Sequence, residues 1–376
     1  MRKRKPLLAL VLVPLALVGL WFSPVGQRWR VARWDDATLV THAAAHPEDA
    51  LALMELGTRL KNRGEKAAAS QNFLLAAKAN PNLPDAWAEA ITLSAEAGDL
   101  PTALSLTKDA LRLHEKNSAV QAAVGCTYEL SGDTQNALEH YKAAQNPEIP
   151  ARAEVEAGLA RVALARKNGT AARQAAQRWT ELAPNSADAW RTLGQALRLL
   201  GELEPARIAL EKALKLAEGD PETLTVLGEL LAETPDGRAQ AEKLLTQAGA
   251  TVALGRLALQ KRDYATAEAQ FRRALQQKSE DTEALFGLAQ ALQLAGKKVE
   301  AATVRAQFET LSAYALKRSH LQLRLGRDPQ NITLWNELGE RAAAQKDTAL
   351  AKQAWERSLR LKPDQPELTR RLAELR

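Results

Sequence analysis

The sequence predicts an all-α fold in which helical hairpins stack side by side into an α-solenoid. Apolar residues recur at spacings of three and four over most of the 376 residues, as expected for one face of a helix. Alanine and glycine recur beside them and allow neighbouring helices to approach closely. Aromatic residues make up only 5% of the chain and no strand pattern competes, so the composition also favours helices throughout.

The clearest example of the repeating unit spans residues 187–220. Trp190, Leu193 and Leu197 fall on one face of a first helix, and Gly194 beside them lets a second backbone come close. Gly201 ends that helix. A second helix then repeats the apolar spacing with Ala206, Leu210 and Ala213. The unit is therefore predicted to be a helical hairpin.

This unit resembles the tetratricopeptide repeat (TPR). The pattern reads W-x2-L-G-x2-L followed by A-x3-L-x2-A, with leucine at two positions where the family prefers aromatic residues. Matching positions recur over residues 50–365, which gives about nine predicted repeats. The resemblance implies a superhelix of hairpins with a concave groove that binds proteins or peptides.

Two stretches depart from the repeat pattern. Apolar spacing continues from Leu311 to Leu325 without a proline, which predicts a long or broken extra helix near residues 312–331 that bends the superhelix. At the end of the chain, residues 366–376 place leucines on one face and charges on the other. These last residues are predicted to be a helix that caps the array.

The N-terminus has the composition of a membrane anchor. Residues 1–6 are basic, and residues 7–27 contain no charge and are long enough as a helix to cross a bilayer. We predict a basic cytoplasmic tail (1–6), a transmembrane anchor (7–27) and a juxtamembrane linker and helix (28–49). This predicts a single-pass inner (plasma) membrane protein with a periplasmic or extracytoplasmic repeat body. A cleaved signal peptide and the opposite orientation remain open alternatives.

The charge of the chain is concentrated in this N-terminal region. The formal net charge is +6, but residues 1–34 alone carry seven basic residues and no acid, so the remaining body has a net charge of −1. A nearly neutral body has no general attraction for phosphate backbones. The sequence therefore predicts no nucleic-acid binding.

The resemblance also indicates a partner-binding site. In the family, side chains at the second, fifth, ninth, twelfth and thirteenth places of each first helix line the groove. Mapped onto the fourth to sixth units, these places give Arg161, Arg191, Gln195, Arg198, Glu222, Glu229 and Glu233. A basic patch beside an acidic one could orient a peptide by charge, with arginines gripping its carboxylates. The alternative is an ordinary solvated helix surface.

Catalytic and metal-binding patterns are missing from the sequence. Cys126 is the only cysteine, so no cysteine cage can form. His42 and His46 lie one helical turn apart, but Ala43 stands where a zinc protease has its glutamate, and no third ligand is near. No nucleophile–base arrangement or glycine-rich phosphate loop is recognisable. We therefore predict no enzyme activity, no metal and no cofactor.

Two functions fit these observations. The first is a membrane-tethered scaffold that holds protein or peptide partners in the concave groove. The second is an accessory assembly factor for cytochrome c maturation or secreted-polymer export, similar to repeat proteins that combine an anchor with such an array. Neither the partner nor the oligomeric state can be predicted from the sequence.

Overall fold

The computed structural model describes residues 31–145 and 152–374 of the chain. Within these residues it contains twenty α-helices and no strand, so the predicted all-α fold is confirmed. The chain divides into two compact units, Met1–Leu130 (unit 1) and Ser131–Arg376 (unit 2). The helices are numbered α1 to α20 in chain order.

Unit 1 consists of one leading helix, two hairpins and a final helix. Their bounds are α1 Asp36–Ala45, α2 Ala50–Asn62, α3 Lys66–Ala79, α4 Pro84–Glu96, α5 Leu100–His114 and α6 Ser118–Leu130. Neighbouring helices bury a continuous apolar core that includes Leu39, Leu53, Ile91 and Val124. Because each hairpin buries its apolar face only against its neighbours, the core extends along the unit.

Unit 2 begins with one helix and continues with six hairpins and a last short helix. Their bounds are α7 Thr134–Ala144, α8 Ala153–Ala165, α9 Gly169–Leu182, α10 Ala187–Leu199, α11 Leu203–Leu216, α12 Pro221–Ala232, α13 Arg238–Gln247, α14 Thr251–Gln260, α15 Tyr264–Gln277, α16 Thr282–Leu294, α17 Lys298–Arg327, α18 Ile332–Ala344, α19 Thr348–Leu361 and α20 Pro366–Glu374. In each hairpin the even-numbered helix is called the first helix and the odd-numbered helix the second.

Glycines within the first helices lie where a second helix comes close. A Cβ atom placed on Gly57 would lie 3.0 Å from the Phe73 ring, and one on Gly194 would lie 2.5 Å from Cγ of Leu210. The same contact occurs at Gly339, which faces the indole of Trp355. The prediction that these glycines lie at helix contacts is confirmed.

In three hairpins, a tryptophan of the first helix forms a hydrogen bond to the loop that precedes the hairpin. Each indole Nε1 donates a hydrogen bond to the carbonyl of a proline six residues earlier. The pairs are Trp87 with Pro81 at 3.2 Å, Trp190 with Pro184 at 2.9 Å, and Trp335 with Pro329 at 2.9 Å. The rings of Trp87 and Trp335 are buried, so each contributes apolar packing while its polar atom is also satisfied.

Most hairpin turns contain a residue with positive φ, although the turn between α12 and α13 does not. Gly64 and Gly201 take this conformation at φ +80° and +76°, which costs glycine little because it has no Cβ. In three other turns the equivalent residue is Lys167, Arg262 or Lys346, with φ between 55° and 62°. These three residues adopt the left-handed backbone conformation at an energetic cost, because each has a Cβ atom.

The longest helix of unit 2 is α17, which has 30 residues. It is one continuous helix. The sequence predicts either a long helix or a broken one in this region. Ala301 and Val304 are buried against the preceding helices, and Leu321 and Leu325 join the core of the last hairpin. Between these two ends, no residue from 305 to 320 is buried.

The predicted membrane localisation is corrected by the structure. No helix within residues 31–145 and 152–374 is long and apolar enough to cross a membrane. This finding contradicts the prediction of a single-pass inner (plasma) membrane protein with a periplasmic or extracytoplasmic body. Residues 1–6 and 7–27, on which that prediction rested, lie outside the described residues.

Candidate partner-binding face of unit 2

A row of charged side chains crosses the first helices α10, α12, α14 and α16 of unit 2. We call this set the ion-pair strip. It comprises Asp188, Arg191, Arg198, Asp220, Glu222, Glu229, Glu233, Arg256 and Glu283. Because equivalent helices lie next to each other in stacked hairpins, residues distant in sequence meet across neighbouring helices.

Arg191 joins α10 to the start of α12. Its guanidinium contacts Asp188 on its own helix at 2.9 Å, Asp220 at 3.2 Å and Glu222 at 2.8 Å. Asp220 is also the N-cap of α12, since its carboxylate accepts hydrogen bonds from the Thr223 amide and hydroxyl. The same carboxylate therefore starts one helix and attaches it to the helix before.

Glu229 is shared between two arginines. Arg198 Nη1 lies 2.8 Å from Glu229, while Arg198 Nε lies 2.6 Å from Glu233. Arg256 of α14 pairs with the other oxygen of Glu229 and also contacts Glu283 of α16 at 2.8 Å. Three consecutive first helices are thus linked through one carboxylate.

These contacts shift the pKa values of two members of the strip. Burial acts to lower the pKa of Arg198, but hydrogen bonds to Glu233 and Glu229 outweigh it, so the pKa is raised. The pKa of Asp220 is lowered, chiefly by the hydrogen bond from the Thr223 hydroxyl, with a smaller contribution from Arg191. Both groups are therefore held in their charged forms.

Carboxylates predominate in the strip, and its three most exposed side chains are those of Asp188, Glu222 and Glu283. Six carboxylates face three guanidiniums, which leaves three negative charges in excess. The Arg191 side chain is only 17% exposed, whereas Glu222 is 74% and Glu283 is 69% exposed. A partner approaching this face meets carboxylates first.

The structure brings five of the seven predicted site residues into the strip. Gln195 lies half-buried on α10, one turn from both Arg191 and Arg198. Arg161 lies exposed on α8, one hairpin earlier, and is not part of the strip. The arginines predicted to grip a peptide are engaged by carboxylates of the chain itself. The assignment of all seven residues to a binding groove stays a prediction.

Four strip residues were missed by the sequence reasoning. They are Asp188, Asp220, Arg256 and Glu283. Arg256 and Glu283 could have been found, because they occupy groove places in the seventh and eighth units, beyond the units that were mapped. Asp220 carries only the signal of an N-cap, so its contact with Arg191 could not be read from spacing.

An apolar pocket lies beyond the strip, between α16 and α17, with a volume of about 420 Å³. Phe286, Leu294 and Phe308 line it, and the two phenylalanine rings lie 5.7 Å apart between centroids. Gln290, Gln293, Arg305 and Glu309 complete the lining. We call this the α16–α17 pocket.

The two histidines of α1 and its C-cap, His42 and His46, each contact a carboxylate. His42 Nε2 lies 3.0 Å from Asp49, and His46 Nδ1 lies 3.1 Å from Glu48. Asp49 also caps α2. Within the described part of the chain, no cluster of three or more histidine, cysteine or acidic side chains could hold a metal ion.

Comparison with known protein families identifies the repeat. Sequence models described as tetratricopeptide repeat match residues 187–230 and 252–308. The chain contains tetratricopeptide repeats. The first match covers α10 to α12 and the second covers α14 to the middle of α17, so the two matches contain most of the strip and the pocket. No curated protein matches the sequence.

Several solved structures are similar to this chain at low sequence identity. A tetratricopeptide repeat protein from Parabacteroides merdae is 18% identical, with a TM-score of 0.51 over 64% of this chain and 97% of that one. YrrB, described as a TPR protein with an unusual peptide-binding site, is 20% identical, with a TM-score of 0.41 over 51% and 97%. A chain of the APC/C Cut9–Hcn1 hetero-tetramer is 15% identical to this chain, with a TM-score of 0.42 over 90% of this chain. This chain spans 58% of that protein's length.

Tetratricopeptide repeats suggest a protein–protein interaction scaffold. The fold is typically non-enzymatic, since its parts are stacked hairpins that present an extended surface. The charges of the ion-pair strip and the apolar lining of the α16–α17 pocket therefore indicate which partners such a scaffold could bind.

Proposed function

We propose that this chain is a protein-interaction scaffold that binds a basic segment of a partner protein along the ion-pair strip of unit 2. The predicted groove residues Arg161, Arg191, Gln195, Arg198, Glu222, Glu229 and Glu233 are the starting point of this proposal. One observation carries it: each guanidinium of the strip is engaged by carboxylates of the chain itself, while the side chains of Asp188, Glu222 and Glu283 are 62%, 74% and 69% exposed.

The charge of the partner segment follows from the cost of breaking the ion pairs within the strip. A carboxylate from a peptide must displace Glu229 and Glu233 to reach Arg198, and a displaced, partly buried carboxylate loses its compensation. A lysine or arginine can instead add to Glu222 or Glu283 while the internal pairs stay intact. We therefore propose a basic partner, in place of the acidic one suggested by the arginines alone.

A pair of labelled peptides tests this proposal. Anisotropy measurements would compare a fluorescein-labelled peptide of alternating Lys and Ala with the same peptide carrying Glu for Lys. We expect the Lys peptide to bind, and to bind more weakly as salt is raised, because exposed charges are screened. Glu222→Lys combined with Glu283→Lys should weaken binding about tenfold, the effect of roughly 1.4 kcal/mol.

A matched control exists on a second helix. Glu204 of α11 has a side chain as exposed as that of Glu222, at 74%, but pairs with Arg207 outside the strip. Glu204→Lys should leave the affinity unchanged. Tighter binding of the Glu peptide, or no binding of either peptide, would contradict the proposal. No described residue favours the accessory role in cytochrome c maturation or polymer export, so that function stays a prediction.

A further inference from the structure

In the regular part of the array, each second helix is covered by the first helix of the next hairpin. The seventh predicted repeat, α14–α15, gives the clearest case. Phe271 of α15 is 0% exposed, and a Cβ placed on Gly287 of the following helix α16 would lie 2.4 Å from its ring. Ala274, one turn later on α15, is buried as well. The next first helix therefore seals this face.

The eighth predicted repeat, α16–α17, lacks this cover. By the repeat spacing, Arg305 and Phe308 of α17 are the counterparts of Phe271 and Ala274. Arg305 is exposed and Phe308 only half-buried. The next first helix, α18, begins only at Ile332, because α17 continues to Arg327. The helix extension takes the place where a covering helix would otherwise start.

The surface left uncovered is apolar. Phe286 is 58% exposed and Leu294 is also exposed, whereas Phe271 of the preceding hairpin is fully buried. Phe286 and Leu294, with Phe308, form the floor and walls of the α16–α17 pocket. Clustered exposed aromatic and leucine side chains mark interaction sites more often than single exposed residues do.

Two unpaired charges lie at the rim of this pocket. Arg305 and Glu309 are one helical turn apart on α17 and both line it. Neither forms an ion pair with any residue in the described ranges of the chain. They therefore offer one positive and one negative contact at a spacing that matches successive turns of a second helix.

We propose that the α16–α17 pocket binds an amphipathic α-helix of a partner protein, which takes the position of the absent covering helix. Its apolar side contacts Phe286, Leu294 and Phe308. An acidic residue of that helix faces Arg305, and a basic residue one turn away faces Glu309. This adds a second site to the proposed scaffold function, separate from the carboxylates of the ion-pair strip.

The probe for this proposal is a fluorescein-labelled, hydrocarbon-stapled helix of about four turns with leucines at i, i+4 and i+7. Glutamate and lysine one turn apart flank the leucines. Its affinity for the full chain would be measured by anisotropy, beside a matched helix in which serine replaces leucine. We expect binding of the leucine helix and at least about tenfold weaker binding of the serine helix.

Variants of the chain localise the site. Phe286→Glu should weaken binding by at least about tenfold, since it places a charge in the apolar contact. Leu316→Glu is the matched control, because Leu316 is also exposed on α17 but does not line the pocket. Arg305→Glu should weaken binding about threefold and be rescued when the probe's glutamate is changed to lysine, as expected for an ion pair at a rim.

Three results with the stapled helices would overturn the proposal, and a fourth result concerns the oligomeric state of the chain. The first three are equal binding of the serine helix, equal loss with Leu316→Glu, and no effect of Phe286→Glu in a variant with the helical content of the parent chain. Dimerisation of the full chain that Phe286→Glu abolishes would show that a second copy occupies the pocket, and would also contradict it. Loss of Lys-peptide binding in Glu222→Lys/Glu283→Lys, with the stapled helix still bound, separates this site from the strip.

Discussion

At the scale of single residues, the array depends on positions where only a hydrogen fits. The tightest is Gly158 of α8, where an added Cβ would lie 2.1 Å from Cζ of Tyr141. Tyr141 is itself buried, so its ring has no free space to move into. The glycine and the aromatic ring therefore have to be considered as a pair.

Gly158→Ala is expected to destabilise unit 2 by about 1–3 kcal/mol, the range found for overpacking a core. Chemical unfolding followed by circular dichroism would measure this. A double-mutant cycle with Tyr141→Leu should show that the smaller side chain recovers part of the loss. Additive effects of the two substitutions would contradict the proposed clash.

Lys346→Gly is expected to stabilise the protein, in contrast to Gly158→Ala. Lys346 has φ +62°, where residues with a Cβ pay about 1–2 kcal/mol, and the equivalent residue Gly201 pays little. The substitution should therefore raise the free energy of unfolding by up to about 1 kcal/mol. Gly201→Ala, with no neighbouring atom within 4 Å of the added Cβ, should lower it by a similar amount. A gain of stability in both variants would refute this reading of the turns.

The sequence predicts these residue-level features unequally. Gly57, Gly194 and Gly339 could be placed at helix contacts because their spacing within the repeat is fixed. The positive φ of Lys346 could not be predicted, since a lysine gives no sign of an unusual backbone conformation. It becomes visible only when the turn is compared with the turn at Gly201.

At the scale of helices, one carboxylate both begins α12 and joins it to α10. Asp220 accepts hydrogen bonds from Thr223 and contacts Arg191, and its pKa is lowered. A group with a lowered pKa contributes stability that is present above the ordinary value of 3.8 and is lost as the pH falls through the folded-state pKa. The link between these helices should therefore weaken in acid.

Asp220→Ala is expected to cost about 1 kcal/mol at neutral pH, through loss of the N-cap. The difference from the parent chain should shrink as the pH falls through the lowered folded-state pKa of Asp220, because the parent carboxylate is then protonated too. Urea unfolding at several pH values would measure it. Ser186→Ala, which removes the uncharged N-cap of α10, is the control and should cost the same at every pH. A loss for Asp220→Ala that does not change with pH would contradict the assignment.

Helix boundaries were predictable wherever a proline or glycine ends the apolar spacing. The continuity of α17 was not, because the spacing from Leu311 to Leu325 is compatible with both a long and a broken helix. The contacts of Arg198 were also beyond prediction. They depend on which neighbouring helix its long side chain reaches, and hydrophobic periodicity carries no information about that.

At the scale of the whole molecule, the chain consists of helical hairpins in two compact units, and tetratricopeptide-repeat models match residues 187–230 and 252–308 of unit 2. The repeated motif gave no sign of the division after Leu130, since it continues through that point. The sequence places clustered charges at the groove positions, and their role in partner binding stays a prediction. Their mutual pairing, and the excess of exposed carboxylates that results, required the packed structure.

The central proposal for the molecule is that the first helices α10, α12, α14 and α16 of unit 2 form the partner-binding face. Hydrogen–deuterium exchange of the full chain, with and without saturating Lys–Ala peptide, tests this claim most directly. Protection is expected within residues 187–199, 221–232, 251–260 and 282–294, with unit 1 and the second helices unchanged. Protection confined to unit 1, or to α11, α13 and α15, would contradict it.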